Sequence, residues 1–309
     1  MKIKLMMVAA SLVSFSGGAA AFDLGKFLEE RVNQELNKDK STQPAPSPAP
    51  ATGQSAAATP PQDSPKIAAR QLGFALFGDY TIEEENRIGR QIAGDLLGAV
   101  QLVRDDKLQN YVNLVGNWVA LQSGRKDITW RFGVLDTEDI NAFAAPGGYI
   151  FVTKGLYRRL NNEADLAGVL GHEIAHVTGK HHLKLLKQSS LIGALGQAAS
   201  SQAKGSDPAV QNLIGNGAEI MARGLDKNAE FEADRVGIVF AARAGYEPWG
   251  LPGVLQDMAA LPAKDSRTSL LYKTHPHPAD RLAALGEAVD GNLDSVKGKE
   301  VASRFYRIR

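Results

Sequence analysis

The chain has 309 residues, with 35 Lys and Arg against 34 Asp and Glu, so its formal net charge is only +1. That balance gives no sign of a nucleic-acid binder or of a polyanion partner, and none is expected. There is no cysteine, which removes disulfides, thiolate zinc sites, a cysteine nucleophile and a lipoprotein-type anchor together.

Residues 1–21 have the form of a secretory signal. Lys2 and Lys4 precede an apolar run from Leu5 to Phe15, and small residues up to Ala21 offer a cleavage site. The run is too short to span a bilayer comfortably. The expected product is exported and soluble, in a bacterial periplasm, able to touch a membrane but not integral to one. Residues 22–65 follow as a short amphipathic helix (Phe22, Leu24, Phe27, Leu28, Val32, Leu36) and a tether rich in Pro, Ala and Ser, which cannot bury a core.

A catalytic-sized domain is expected over residues 66–290. Thr81 can cap a helix with Glu83, Glu84 and Glu85 in its first turn, running to about Val100. Asp105 or Asp106 starts another to about Leu121, with Leu108, Tyr111, Val112, Val115 and Val119 on its apolar face. Ile128, Trp130, Phe132 and Val134 alternate as in a strand to Leu135. Ala145-Pro146-Gly147-Gly148 reads as a turn and Tyr149 to Thr153 as a second strand, so the two strands are expected to form a hairpin whose edge could hold an extended peptide by main-chain hydrogen bonds.

The chemistry is concentrated in Gly171-His172-Glu173-Ile174-Ala175-His176, inside an apolar run from Leu166 to Val177. Glu163 and Asp165 suit the first turn of a helix there. On that helix His172 and His176 lie on one face, four residues apart, as two ligands of one tetrahedral Zn²⁺. Glu173 then sits beside the open coordination position as the base for the attacking water. Two imidazoles and a carboxylate on an otherwise apolar helix would be costly without a shared purpose.

Two residues compete for the third ligand. Gly179 and His182 complete His-Glu-x-x-His-x-x-Gly-x-x-His, the metzincin form, which needs a turn-borne methionine beneath the metal. Met221 and Met258 both lie in helix-like runs. The rival is Asn228-Ala229-Glu230-Phe231-Glu232-Ala233-Asp234, where Glu230 and Asp234 share a helix face. Glu230 is the preferred ligand, with Asp234 accepting from the outer ring nitrogen of a zinc histidine.

Four blocks together resemble a known family. They are Asn141 to Val152, then Gly171 to His176, then Glu230 to Asp234, and finally Thr274-His275-Pro276-His277-Pro278-Ala279-Asp280-Arg281. In order and spacing, across residues 80–288, they resemble the gluzincin metallopeptidases that include the heat-shock protease HtpX, the CAAX prenyl proteases and the β-barrel-assembly-enhancing protease. The resemblance implies one Zn²⁺ per chain held by His172, His176 and Glu230, Asp234 behind a ligand, and Glu173 as base. It places His181 on a histidine that often follows the zinc helix, and His275 as either a donor to the oxyanion or a fourth ligand that closes the site. Arg281 also falls on the motif, without a partner that can be named from the sequence.

Residues 183–223 depart from the rest, being rich in Ser, Ala, Gly and Gln. Membrane members of the family carry spans here, but Lys184, Lys187 and Gln188 interrupt any apolar run of the length needed. The segment reads as a soluble helical insertion, able to serve as a lid over the cleft. Helical patterns resume at Val236 to Ala244, Pro248 to Ala260 and Pro278 to Val289. Residues 291–309 form a basic tail, expected to be solvated with a late strand at Ala302 to Ile308.

The expected fold is α+β: a mostly helical, zincin-like metallopeptidase domain with a small β-sheet before the zinc helix. The expected function is zinc-dependent cleavage of extended or misfolded envelope proteins. The alternative is an assembly or chaperone-like factor whose zinc is latent, closed by His275 as a fourth ligand. Against a purely structural site stands Glu173, a base that such a site does not need.

Overall fold

The computed structural model describes residues 79–189, 224–262, 265–289 and 293–308. The signal, the 22–65 segment, the expected start at Lys66 and the part of the insertion beyond residue 189 lie outside them.

Helix α1 (Ile82–Ala99) begins at Thr81, whose hydroxyl accepts from the Glu84 amide while the Glu84 carboxylate accepts from the Thr81 amide. This reciprocal cap satisfies two otherwise unpaired donors. Glu85 does something different from its acidic neighbours. It is buried, and it accepts from Arg125 and from the amide of Gly147 in the turn between two strands. Helix α2 (Asp106–Ala120) starts at Asp105, which accepts from the amides of Lys107 and Leu108.

The sheet has three strands, β1 (Arg131–Leu135), β2 (Ala142–Ala145) and β3 (Tyr149–Thr153), in the order β1-β3-β2. Here the expected hairpin needs correction. β1 pairs with β3 in parallel, and the turn at Gly147 and Gly148, both at positive φ, joins β2 to β3 instead. Strand β2 is Ala-Phe-Ala-Ala and wholly buried. Buried on both faces, it has no apolar–polar alternation by which it could be recognised.

The pleat divides the core. Phe132, Val134, Ala142, Ala144, Ile150 and Val152 face the cluster built on α2 and on α4 (Glu163–Thr178). Leu135, Phe143, Ala145 and Phe151 face Ile88, Ile92 and Leu96 of α1, together with Leu183 and Leu186 of α5, helical over residues 181–189. A short helix α3 (Lys154–Tyr157) leads from β3 toward α4.

Helix α4 is buried along its length, from Glu163 to Val177. Asn162 caps it, accepting from the Asp165 amide. Glu163, acidic and in the first turn, is also an anchor. It accepts from Tyr111 at 2.8 Å, Tyr246 at 2.7 Å and Arg304 Nε at 2.9 Å. Arg304 belongs to the C-terminal segment, which is packed where a solvated end was expected: Phe305 lies in the core and Tyr306 donates to Asp105. Residues Ala302–Arg304 form a 3₁₀ turn in place of the expected strand.

Three further helices complete the frame around α4: α6 (Lys227–Arg243), α7 (Gly250–Ala259) and, after a short α8 (Ser269–Thr274), α9 (Pro278–Val289). Helices α4 and α6 meet backbone to backbone at a pair of glycines. A Cβ at Gly171 would fall 2.5 Å from the Gly237 carbonyl oxygen, and one at Gly237 would fall 2.5 Å from the His172 nitrogen. Among the described residues, no helix is long and apolar enough to cross a membrane. The fold is thus mostly helical with a small sheet before α4, as the sequence leads one to expect.

Candidate metal centre

Four side chains converge where α4 crosses α6. His172 and His176 come from α4, Glu230 from the first turn of α6, and His275 from the residue that ends α8. One donor atom from each lies within 4.8 Å of all the others. The Nε2 atoms of His172 and His176 are 2.9 Å apart. Glu230 Oε1 is 3.5 Å from His176 Nε2, and Oε2 is 3.7 Å from His172 Nε2.

Local structure puts each donor there. Asp226 caps α6, accepting from the amides of Asn228 and Ala229, and so fixes the turn that carries Glu230. The positive end of the helix favours a carboxylate at that position. His275 stands at φ −130, ψ 152, extended, between α8 and the Pro276-His277-Pro278 stretch that opens α9. The prolines deny the segment a helix and hold it rigid. Asn141, immediately before β2, donates to Thr274 and ties this segment to the sheet. His277 is exposed and stacks on Tyr272.

The outer contacts set the proton positions. His172 Nδ1 is 2.8 Å from Asp234 Oδ1 and 3.1 Å from a terminal nitrogen of Arg281; with its proton on Nδ1, donated to the nearer carboxylate, Nε2 is left free as a donor atom. Asp234 is itself gripped by Arg281, through Nε to Oδ2 at 2.9 Å and through a terminal nitrogen to Oδ1. That is the partner the sequence did not supply for Arg281. Both groups are almost wholly buried.

Electrostatics follow from these contacts. Burial pushes the Asp234 carboxyl up, but the Arg281 charge and hydrogen bonds outweigh it and hold the group well below the carboxylate range. Glu230 behaves alike: burial opposes, the charge and hydrogen bond of His275 prevail, and it falls to about 2. His275 Nδ1 lies 2.8 Å from Glu230 Oε2, and this pairing raises the imidazole against the effect of burial. His176 is driven well below the usual imidazole range, by burial first and then by its neighbouring imidazoles. Burial raises the Glu173 carboxyl, with His172 and His275 partly offsetting it. A cation in the site would draw it back down.

The donor set fits a zinc ion. With both protons on Nδ1, the two imidazoles would turn their Nε2 lone pairs toward each other across 2.9 Å, an arrangement that a cation between them relieves. Glu230 Oε1 is buried and without a hydrogen-bond partner among the described residues. Nitrogen and carboxylate donors in this number suit Zn²⁺. His182, the metzincin candidate, is not among the four donors. It lines the cavity beside them, and burial lowers it to about 4. Met258 is buried on α7, and Met221 lies outside the described residues.

Two small clefts flank the cluster and share Ala142, Glu173 and His275 as walls. One runs along Ala142, Phe143 and Ala144 of β2, past His176 and Glu230. The other is bounded by Leu156, Val169, Leu251, Met258 and Leu271.

Against known proteins, the profile of peptidase family M48 matches residues 106–289. The chain belongs to peptidase family M48. Its domain is therefore that of a zinc-dependent metalloendopeptidase, whose substrates are polypeptides. Among curated relatives, the beta-barrel assembly-enhancing protease of Escherichia coli K12 is 29% identical over 221 residues, 69% of this chain and 45% of that protein. Metalloprotease YcaL of the same organism is 31% identical over 161 residues, 52% of this chain and 62% of its own. The mitochondrial metalloendopeptidase OMA1 of Schizosaccharomyces pombe is 24% identical over 214 residues, covering 68% and 63%. The chain thus spans under half the length of the assembly-enhancing protease that it matches.

Proposed function

We propose that this M48 peptidase cleaves extended segments of unfolded or misassembled envelope proteins after export to the periplasm, with Zn²⁺ held by His172, His176 and Glu230. The observation that carries the reading is the placement of the sheet edge. The outer edge of β1 is closed, because Gln109 and Asn113 of α2 pair with the backbone of Val134 and Phe132 through their side-chain amides. The other edge is β2, and it lines the cavity that holds Glu173, His176 and Glu230. A peptide that adds to β2 by main-chain hydrogen bonds must already be extended, and its side chains matter little. That selects for unfolded chains over folded ones.

Zinc, when bound, polarises the scissile carbonyl and lowers the pKa of a water. The protein's own residues do the rest. Glu173 takes the proton of the attacking water on a carboxylate oxygen and hands it to the leaving amine. Asp234 and Arg281 keep His172 in the correct tautomer, and β2 holds the peptide so that its carbonyl faces Glu173. The secretory form of residues 1–21 and the likeness to the beta-barrel assembly-enhancing protease support the envelope as the place of action.

The test is cleavage of one protein in two states. A destabilised, unfolded variant should be cut and its folded parent spared, with Glu173→Gln inactive on both. Equal cleavage of both states overturns the selectivity for extended chains. A fusion of residues 1–21 to a reporter that is active only outside the cytoplasm tests the export.

A second reading has its own observation. His275 belongs to the four-donor set and holds Glu230 Oε2. As a fourth ligand it would close the position that substrate needs, leaving a latent enzyme that serves assembly without cutting.

A further inference from the structure

One buried imidazole has no part in the chemistry above. His181 is 4% exposed, and its Nδ1 lies 2.9 Å from Nδ1 of His176. If His176 binds zinc through Nε2, its own proton is on Nδ1 and must be donated outward. The acceptor is then His181 Nδ1, and the remaining proton of His181 is fixed on Nε2. That atom is buried, lacks a hydrogen-bond partner among the described residues, and lies 3.8 Å from Glu232 Oε2. We infer that His181, backed by Glu232, is the positioning residue that holds His176 in its zinc-binding tautomer and orientation, as Asp234 and Arg281 hold His172.

The chain is bent to allow it. Helix α4 ends at Thr178, and Lys180 then adopts φ 53, a left-handed conformation that side chains other than glycine seldom take. Strain of this kind persists where the surroundings demand it, and here it turns residue 181 back onto the helix it has just left. Gly179 has an ordinary φ of −73. It is needed for room: a Cβ there would fall 2.4 Å from His181 Nε2. The two glutamates of α6 thus have distinct partners. Glu230 faces the donor cluster, while Glu232, half exposed, faces the imidazole behind it.

The inference rests on His176 being a ligand, so His176→Ala is the control. The measurement is zinc affinity, by competition with a chromophoric chelator, alongside the melting temperature of the metal-free protein. His181→Ala should weaken zinc binding by about 10–100-fold. His181→Asn, whose amide oxygen can accept from His176, should recover much of that loss. Glu232→Ala should cost less, under about tenfold, because solvent can replace an exposed carboxylate. Gly179→Ala keeps the imidazole but crowds it, and should weaken zinc binding in the same direction. A His181→Ala protein that binds zinc within about twofold of wild type, whatever its melting temperature, overturns the inference. Should that variant not fold, the same threshold applied to Gly179→Ala decides. Undiminished zinc binding in His176→Ala would instead overturn the ligand assignment on which the inference stands.

Discussion

Arg281 holds Asp234 by both carboxylate oxygens, and Asp234 holds His172 by its outer nitrogen. The relationship links α9 to α4 through α6, and it buries a full ion pair to do so. Such a pair contributes little net stability when intact but is expensive to break from one side. Arg281→Met should therefore destabilise the protein by about 3–5 kcal/mol, the cost of an unpaired buried carboxylate. Asp234→Asn should be milder in stability and lower zinc affinity by about 10–100-fold. Denaturant unfolding with and without zinc separates the two effects.

The third ligand is decided by metal content. His172→Ala, His176→Ala and Glu230→Ala should each lose most zinc on dialysis, whereas His182→Ala should keep one equivalent. Elemental analysis reads the result directly. Full zinc in Glu230→Ala would return the assignment to His182.

Glu173→Gln should fold and bind zinc as the wild type does, yet cleave nothing. The amide is nearly isosteric with the carboxylate but cannot accept the proton. Casein cleavage near the wild-type rate would point to another base.

His275 separates two roles by the sign of one change. If it closes the site as a fourth ligand, His275→Ala should raise proteolysis and self-cleavage while zinc stays bound. If it donates to the developing oxyanion, the same change should lower turnover by about 10²–10³-fold with substrate binding little altered. Its Nδ1, 2.8 Å from Glu230 Oε2, places it beside the donor cluster in either role. Unchanged activity together with unchanged zinc would reject both.

The acid limb of stability should depend on Glu163. Burial pushes its carboxyl up, but hydrogen bonds from Arg304, Tyr246 and Tyr111 outweigh that and leave it below its ordinary value of 4.5. A carboxylate lowered in the folded state stabilises fully above its unfolded value, and loses that contribution as the pH falls through the folded one. Melting temperature should thus drop on acidification below about pH 4.5, and Glu163→Gln should show a smaller drop, from a lower starting point. An identical pH dependence in the two proteins would rule this out.

Much of the site was legible because its signals are local. His172, Glu173 and His176 share one helical turn, and Glu230 and Asp234 share another. Caps are equally local, so Thr81 and Asp105 mark the starts of α1 and α2 within one residue. What escaped was non-local. Strand β2 has neither polar alternation nor β-branched residues, and only its pairing with β3 identifies it. Glu85 and Glu163 read as first-turn acids, yet each is buried by partners distant in the chain, at Arg125 and at Arg304. The role of His181 depends on the left-handed turn at Lys180, for which the residue types give no warning.

The glycine contact between α4 and α6 has a consequence for how the enzyme can fail. His172 and His176 stand on one side of that seam and Glu230 on the other, so the ion would be grasped across a helix–helix interface rather than within a single element. An ion held by those side chains would act as a rivet: it could not bind until the two helices were seated, and they could not part without releasing it. Chelation and loosening of the seam become one equilibrium seen from two ends. A methyl group at Gly171 or Gly237, far too small to reach the ion, should therefore make the enzyme sensitive to mild chelators before it makes it sensitive to heat.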